Sequence, residues 1–286
     1  MNGLQKPPWL KKRIPPVQDI LKVKSILEGT ALHTVCEEAR CPNLGECFSK
    51  GTATILILGR ICTRDCGFCA VEHGMPAFLD PAEPEKVAQA VKEMGLQYVV
   101  ITSVTRDDLP EGGASHYAKT IRAIRALDRK IKVEVLIPDF QGHSTSLDMV
   151  LKENPDVLNH NVETIPRLYP EVRPQADYQR SLILLRRVKD RSPQILTKSG
   201  FMLGLGEDWR EVLDLLKDLK EAGCDFLTIG QYLQPRTDRL PVVRYIPPEE
   251  FEALKKIGES MSFKSVASGP FVRSSFHASQ MFEGDL

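Results

Sequence analysis

Six stretches of the chain are apolar runs bounded by polar or turn residues: Thr54–Leu58, Tyr98–Thr102, Lys132–Ile137, Val157–Val162, Gln194–Leu203 and Phe226–Leu233. Their length and their content of β-branched and aromatic residues predict strands. Between them apolar residues recur at helical spacing, as in Val87, Val91 and Met94, or in Val212, Leu215, Leu216 and Leu219. The second of these helices has Asp208 and Glu211 at capping-box spacing before it and Gly223 at its end. Six strand–helix alternations imply a parallel sheet covered by helices on its outer face. Right-handed crossovers curl successive parallel strands the same way, so the pattern predicts an α/β fold, a partial (β/α)6 TIM-type barrel. Its boundaries read as 52–240, with an N-terminal extension over 1–51 and a C-terminal extension over 241–286. Functional groups then belong at the carboxyl ends of the strands. The first strand runs out at Gly59, and Cys62-Thr63-Arg64-Asp65-Cys66-Gly67-Phe68-Cys69 follows at once, placing a cysteine loop over the barrel mouth.

Composition narrows the classes. A chain of 286 residues with 42% apolar content can bury a core, and one main domain is expected. The 38 basic residues are balanced by 38 acidic ones, so no general field favours nucleic acid or an anionic membrane. Lys11, Lys12 and Arg13 form a local basic patch, read as a solvated face, with docking of an acidic partner as the sharper alternative. No segment approaches the roughly 18 apolar residues of a membrane span, and the amino terminus, with Pro7, Pro8, Pro15 and Pro16 around basic residues, lacks the apolar core of a secretory signal. A cytoplasmic location is expected, where thiols stay reduced and free to coordinate metal.

Six of the seven cysteines lie between Cys36 and Cys69, in two triplets: Cys36-x4-Cys41-x5-Cys47 and Cys62-x3-Cys66-x2-Cys69. Each triplet offers three soft donors and lacks a fourth, which suits an iron–sulfur cluster with one iron left for another ligand. A structural zinc site or unrelated buried thiols would also use cysteines, but zinc sites usually offer paired knuckles and four ligands. On a 4Fe-4S cubane the unclaimed iron can chelate the amine and carboxylate of an amino acid. If that amino acid is S-adenosylmethionine, one electron can cleave its carbon–sulfur bond and release a 5′-deoxyadenosyl radical.

The second triplet, placed after a strand and with Phe68 before its last cysteine, resembles the radical S-adenosylmethionine superfamily. The first triplet, in Cys36-Glu37-Glu38-Ala39-Arg40-Cys41-Pro42-Asn43-Leu44-Gly45-Glu46-Cys47, is similar to the auxiliary-cluster motif of lipoyl synthases. The likeness continues through Thr52-Ala53-Thr54, Asn159-His160-Asn161-Val162-Glu163-Thr164, Thr197-Lys198-Ser199-Gly200, Gly204-Leu205-Gly206-Glu207 and Gln231-Tyr232-Leu233-Gln234-Pro235, nearly the whole chain. Near the end, Arg273-Ser274-Ser275-Phe276-His277 matches the family's Arg-Ser-Ser-Tyr motif, with Phe276 at the tyrosine place.

The resemblance implies two 4Fe-4S clusters. Cys62, Cys66 and Cys69 would hold the one that cleaves S-adenosylmethionine, and Cys36, Cys41 and Cys47, with Ser275 as fourth ligand, the one that gives up sulfur. A serine oxygen is a hard donor on a soft-ligand cluster and is easily displaced, which suits a cluster that is dismantled. The implied reaction inserts two sulfurs at C6 and C8 of an octanoyl chain on a lysine of a lipoyl-carrier domain, either a 2-oxoacid dehydrogenase E2 or a glycine cleavage H protein. A reduced ferredoxin or flavodoxin would supply electrons, with no nucleic acid or membrane involved.

Thr102 and Ser103, with Asn161, Glu163 and Lys198, fall at predicted strand ends and are candidates to contact S-adenosylmethionine, against ordinary hydrogen bonding at a barrel mouth. The Gly204-x-Gly206 pair reads equally as a strand-to-helix turn. Cys224 reads as a buried structural thiol. His33, His73, His116, His143 and His160 share no metal-ligand spacing and read as structural, while His277 is a possible neighbour of the auxiliary cluster.

Overall fold

All four residues of Thr54–Ile57 are buried, as expected of a parallel strand covered on both faces. In the computed structural model, which describes residues 5–12 and 15–285, this strand pairs parallel with Tyr98–Ser103, Thr54 opposite Val100 and Ile57 opposite Ser103. Tyr98–Ser103 pairs parallel with Lys132–Leu136 in turn. A two-residue strand, His33–Thr34, lies antiparallel on the outer edge of Thr54–Ile57. The chain divides into two units. These strands belong to the one made of Arg13–Arg64 and Ala70–Leu158, with the helices Glu83–Met94 and Ala114–Leu127. Glu83–Met94 opens with Pro84 in its first turn and ends at Gly95, whose φ of 67° lets its amide reach back to Lys92 and Val91 carbonyls.

The other unit comprises Met1–Lys12, as far as it is described, with Asp65–Cys69 and Asn159–Leu286. Leu196–Leu203, Phe226–Gln231 and Ser265–Gly269 run parallel there, with Lys198 opposite Phe226 and Phe226 opposite Ser265. The capping box expected at Asp208 is present: Glu211 N donates to Asp208 Oδ1 at 3.0 Å and Asp208 N to Glu211 Oε2 at 2.9 Å. Trp209–Glu221 buries Val212, Leu215, Leu216 and Leu219 in a core shared with Leu185, Leu227, Ile229 and Leu254. Leu216 is fully buried, so Leu216→Ala should cost about 2–5 kcal/mol of stability. Urea unfolding followed by circular dichroism measures it as a lowered midpoint with an unchanged slope.

All six predicted strands exist, with shifted ends. The run expected to reach Val162 is regular only over Val157–Asn159. Beyond it, single bonds keep the chain beside Leu196–Leu203: His160 N to Lys198 O at 3.0 Å and Glu163 N to Gly200 O at 3.0 Å. Glu163 sits at φ 64°, which breaks the extended geometry. The strand Ser265–Gly269 lies within the C-terminal extension and was not anticipated, because Ser-Val-Ala-Ser-Gly carries one strongly apolar residue. Among the described residues no helix is long and apolar enough to cross a membrane.

Candidate functional site

The first barrel strand is brought to an abrupt end. Leu58 and Gly59 both have positive φ, 69° and 87°. For leucine this is a strained conformation, held here by its neighbours. The buried Glu83 carboxylate accepts from Leu58 N at 2.8 Å and pairs with His116 Nε2 at 2.7 Å, while Arg106 Nη1 donates to Leu58 O at 3.2 Å. His116 is thus structural, as its sequence context suggested. The chain is turned out of the sheet directly into the cysteine loop.

In the unit that contains it, Cys62 Sγ accepts two backbone N–H groups, from Arg64 at 3.4 Å and Thr105 at 3.3 Å. Amide donors to a thiolate favour its charged form and tune a metal bound to it. Arg64 is buried, its guanidinium forked onto Asp107 (2.6 and 3.0 Å) and bonded to Asp139 (2.6 Å). Burial works against its charge, but the two carboxylates overcome that and hold its pKa above the usual arginine value. Asp107 and Asp139 follow the strands Tyr98–Ser103 and Lys132–Leu136, so this ion triad pins the start of the loop to two strand ends. Thr102 is buried at the same end, with Oγ1 donating to Leu136 O at 3.1 Å, and Ser103 is half-buried beside it.

The same unit carries the first triplet. Thr34 caps the short helix Val35–Glu38, accepting from Glu37 N at 3.2 Å and donating to Glu37 Oε2 at 2.9 Å. Arg40, at φ 51°, turns the chain back so that Cys41 N reaches Cys36 O at 2.9 Å, and Cys47 sits on the helix Leu44–Ser49. Burial pushes the Cys36 thiol up to about 12; hydrogen bonding at Thr54 opposes this, and Cys41 and Cys47 add to it. The three sulfurs therefore share one electrostatic neighbourhood, in which thiolates repel until a cation compensates them.

In the other unit, Gly67 N donates to Val172 O at 3.0 Å and Gly67 O accepts from Leu240 N at 2.9 Å. A Cβ on Gly67 would lie 2.8 Å from Leu240 Cδ1, so this approach requires glycine. Cys69 N bonds Cys66 O at 3.1 Å, and Phe68 packs against the hydrophobic core. Asp65 pairs with the buried Arg239, and its backbone N–H donates to Gln175 Oε1 at 2.8 Å. Burial pushes the Tyr232 hydroxyl up to about 12, with Arg239 opposing and Cys69 adding to the shift. Cys69 thus lies in the field of Arg239 and beside a neutral phenol.

Asn161 Nδ2 donates to Glu163 Oε1 at 3.0 Å and to Ser274 Oγ at 2.6 Å. Burial raises the Glu163 carboxyl above the ordinary range, while Arg173, Asn161 and Arg273 pull it back. Asn161 Oδ1 is buried with no hydrogen-bond partner. A desolvated carboxyl on a residue of strained backbone, beside an orphaned amide oxygen at a strand end, fits a polar ligand better than a closed core. Lys198 is fully buried on Leu196–Leu203. The structure therefore joins Asn161 and Glu163 to Ser274, the neighbour of Ser275, and leaves Thr102 and Ser103 in the other unit.

Weaker signals resolve into structure. The Gly204 and Leu205 amides both donate to the Glu207 carboxylate, at 2.6 and 3.0 Å, so that glycine pair serves a turn. Cys224 is buried, its thiol on Phe226 O at 3.1 Å. His160 bonds Ser181 Oγ at 3.0 Å. Arg13 of the basic patch lies outside the described residues. Lys12 departs from the solvated-face expectation, since its ammonium stands over two aromatic rings. The sequence reading missed Arg64, Arg239 and Ser274; for Arg64 the signal available was the charged pair Arg64-Asp65 inside the Cys62–Cys66 spacer.

None of the seven cysteines is joined in a disulfide. Among the described residues no three His, Cys, Asp or Glu side chains converge tightly enough for a single metal ion. Three thiols with a position left open are a donor set that an iron–sulfur cubane can use.

Comparison with known proteins places these features. The family model described as the radical SAM superfamily matches residues 56–219, and that of the N-terminal domain of lipoyl synthase matches residues 2–41. A lipoyl synthase of Caldanaerobacter subterraneus is 54% identical over 96% of this chain and 96% of its own length. One from Rubrobacter xylanophilus is 55% identical over 97% of this chain and 87% of its own. Among solved structures, Streptococcus suis SuiB bound to S-adenosylmethionine superposes on 74% of this chain with a TM-score of 0.56 at 13% identity. The aligned part spans about half, 49%, of that chain. This likeness carries the fold alone, the partial barrel expected from the strand–helix alternation.

Proposed function

Since the chain belongs to the lipoyl synthase family of the radical S-adenosylmethionine superfamily, we propose that it is a sulfurtransferase that inserts two sulfur atoms, at C6 and C8, into an octanoyl chain held on a lysine of a lipoyl-carrier domain. The observation that carries this reading is the pair of three-thiol sets, each one ligand short, within a chain that is 54% identical to a lipoyl synthase over 96% of its length.

Cys62, Cys66 and Cys69 would hold a 4Fe-4S cluster whose free iron takes the amino and carboxylate groups of S-adenosylmethionine. When bound, that pair supplies one-electron cleavage of the sulfonium to methionine and a 5′-deoxyadenosyl radical able to take hydrogen from an unactivated carbon. The amide donors on Cys62 and the cation of Arg239 near Cys69 stabilise negative charge on the sulfurs. Asn161, through its orphaned oxygen, with Glu163 and Lys198 and with Thr102 and Ser103, would bind the polar groups of S-adenosylmethionine. Cys36, Cys41 and Cys47 of the N-terminal extension, with Ser275 of the C-terminal one, would hold a second 4Fe-4S cluster that supplies sulfide. Separate ligand sets are physically sensible on this reading, because one cluster would keep its structure to pass electrons while the other is consumed.

The acceptor would be an octanoylated 2-oxoacid dehydrogenase E2 or glycine cleavage H protein and the electron donor a reduced ferredoxin or flavodoxin, in the cytoplasm. Anaerobic incubation with S-adenosylmethionine, a reductant and an octanoylated carrier peptide should yield a peptide that has gained two sulfurs and lost two hydrogens by mass spectrometry. A peptide of unchanged mass, with 5′-deoxyadenosine formed, would leave a radical enzyme acting on another substrate.

A further inference from the structure

The segment that carries Ser275 is held on both sides of that residue. It runs from the end of the strand Ser265–Gly269 to the short helix Ala278–Glu283 and is a turn over Ser274–His277, closed by Phe276 N on Arg273 O at 3.0 Å. On one side, Ser274 Oγ accepts from Asn161 Nδ2 at 2.6 Å. On the other, the Lys12 ammonium lies 4.9 Å from the centre of the Phe276 ring and 5.0 Å from that of Phe271. A cation shared nearly equally by two rings five positions apart draws the ends of the segment together, with Ser275 inside the loop it closes. The attraction uses the ring face and not a hydroxyl, so phenylalanine serves at 276 where the family motif has tyrosine.

We propose that Lys12 is a positioning residue: its ammonium staples Phe271 to Phe276 and so presents the Ser275 hydroxyl. This rests on the reading of Ser275 as the fourth ligand of the sulfur-donating cluster. Serine oxygen is a poor match for that cluster on chemical grounds. Holding the loop ready lowers the ordering cost of ligation, so a mismatched donor still binds, and it leaves the oxygen free to depart when the cluster is opened.

The test uses the full chain, anaerobically reconstituted with iron and sulfide, as parent, Lys12→Met and Lys12→Arg. Methionine keeps the length of the side chain without its charge, and arginine keeps the cation. Hydrogen exchange over 271–277 should be roughly three- to tenfold faster in Lys12→Met, unchanged in the strand Leu196–Leu203, and restored in Lys12→Arg. A chelator should withdraw iron from one of the two clusters faster in Lys12→Met, with Lys12→Arg returning to the parent rate. Parent-like exchange in Lys12→Met overturns the staple. Faster exchange with an unaltered rate of iron loss overturns its positioning role. Iron and sulfide content of the parent is measured first: a single cluster there would overturn the ligand reading of Ser275 and the positioning role with it, while the exchange arm still decides the staple.

Discussion

Cys66→Ala should reduce 5′-deoxyadenosine release to the level of a control without protein. Cys66 lies in the middle of the three-cysteine loop, and two thiolates cannot retain a cluster that three already leave under-coordinated. The loss should exceed the roughly 10- to 100-fold that removal of an outer-shell partner costs a metal site. The loop here is held by backbone bonds of Gly67 to Val172 and Leu240 and by the packing of Phe68. The variant should therefore keep the parent's circular dichroism and urea midpoint, which separates lost chemistry from lost fold. Residual 5′-deoxyadenosine above a few per cent of parent would remove Cys66 from the ligand set.

Cys41→Ala should give the complementary result: continued cleavage of S-adenosylmethionine with no sulfur added to the carrier peptide. Cys41 belongs to the triplet around the buried Cys36, and losing one of three thiols there empties that set while Cys62, Cys66 and Cys69 remain. Iron should fall from about eight per chain to about four. Chromatography of 5′-deoxyadenosine beside the mass of the peptide reads both arms in one reaction. If both activities fall equally in two folded variants, the division of labour between the triplets is wrong.

The strands and most helices were legible because burial on two faces leaves a run such as Tyr98–Ser103 almost wholly apolar, and because capping is local, as at Asp208 and Glu211. Ser265–Gly269 was not, since its place in a sheet comes from pairing with Phe226–Gln231 and not from its own composition. The early end of the strand at Asn159 was hidden for a similar reason: nothing in the letter Glu at 163 announces a positive φ. At the site, the cysteine spacing pointed to an iron–sulfur ligand set, and the family resemblance pointed to the chemistry. The partners of Arg64 lie 43 and 75 positions away, and that of Asn161 lies 113 away, so those contacts exist only once the chain is folded. Lys12 was misjudged because a short basic run gives no hint of aromatic residues more than 250 positions distant.

Burial that pushes the Cys36 thiol up to about 12 also shields it from chemistry. Thiolate and not thiol is the form that air oxidation and alkylating reagents attack, so position 36 should be slow to alkylate while no metal is bound. Metal binding at this triplet, as proposed, would have to expel that proton and so would be favoured in alkaline medium.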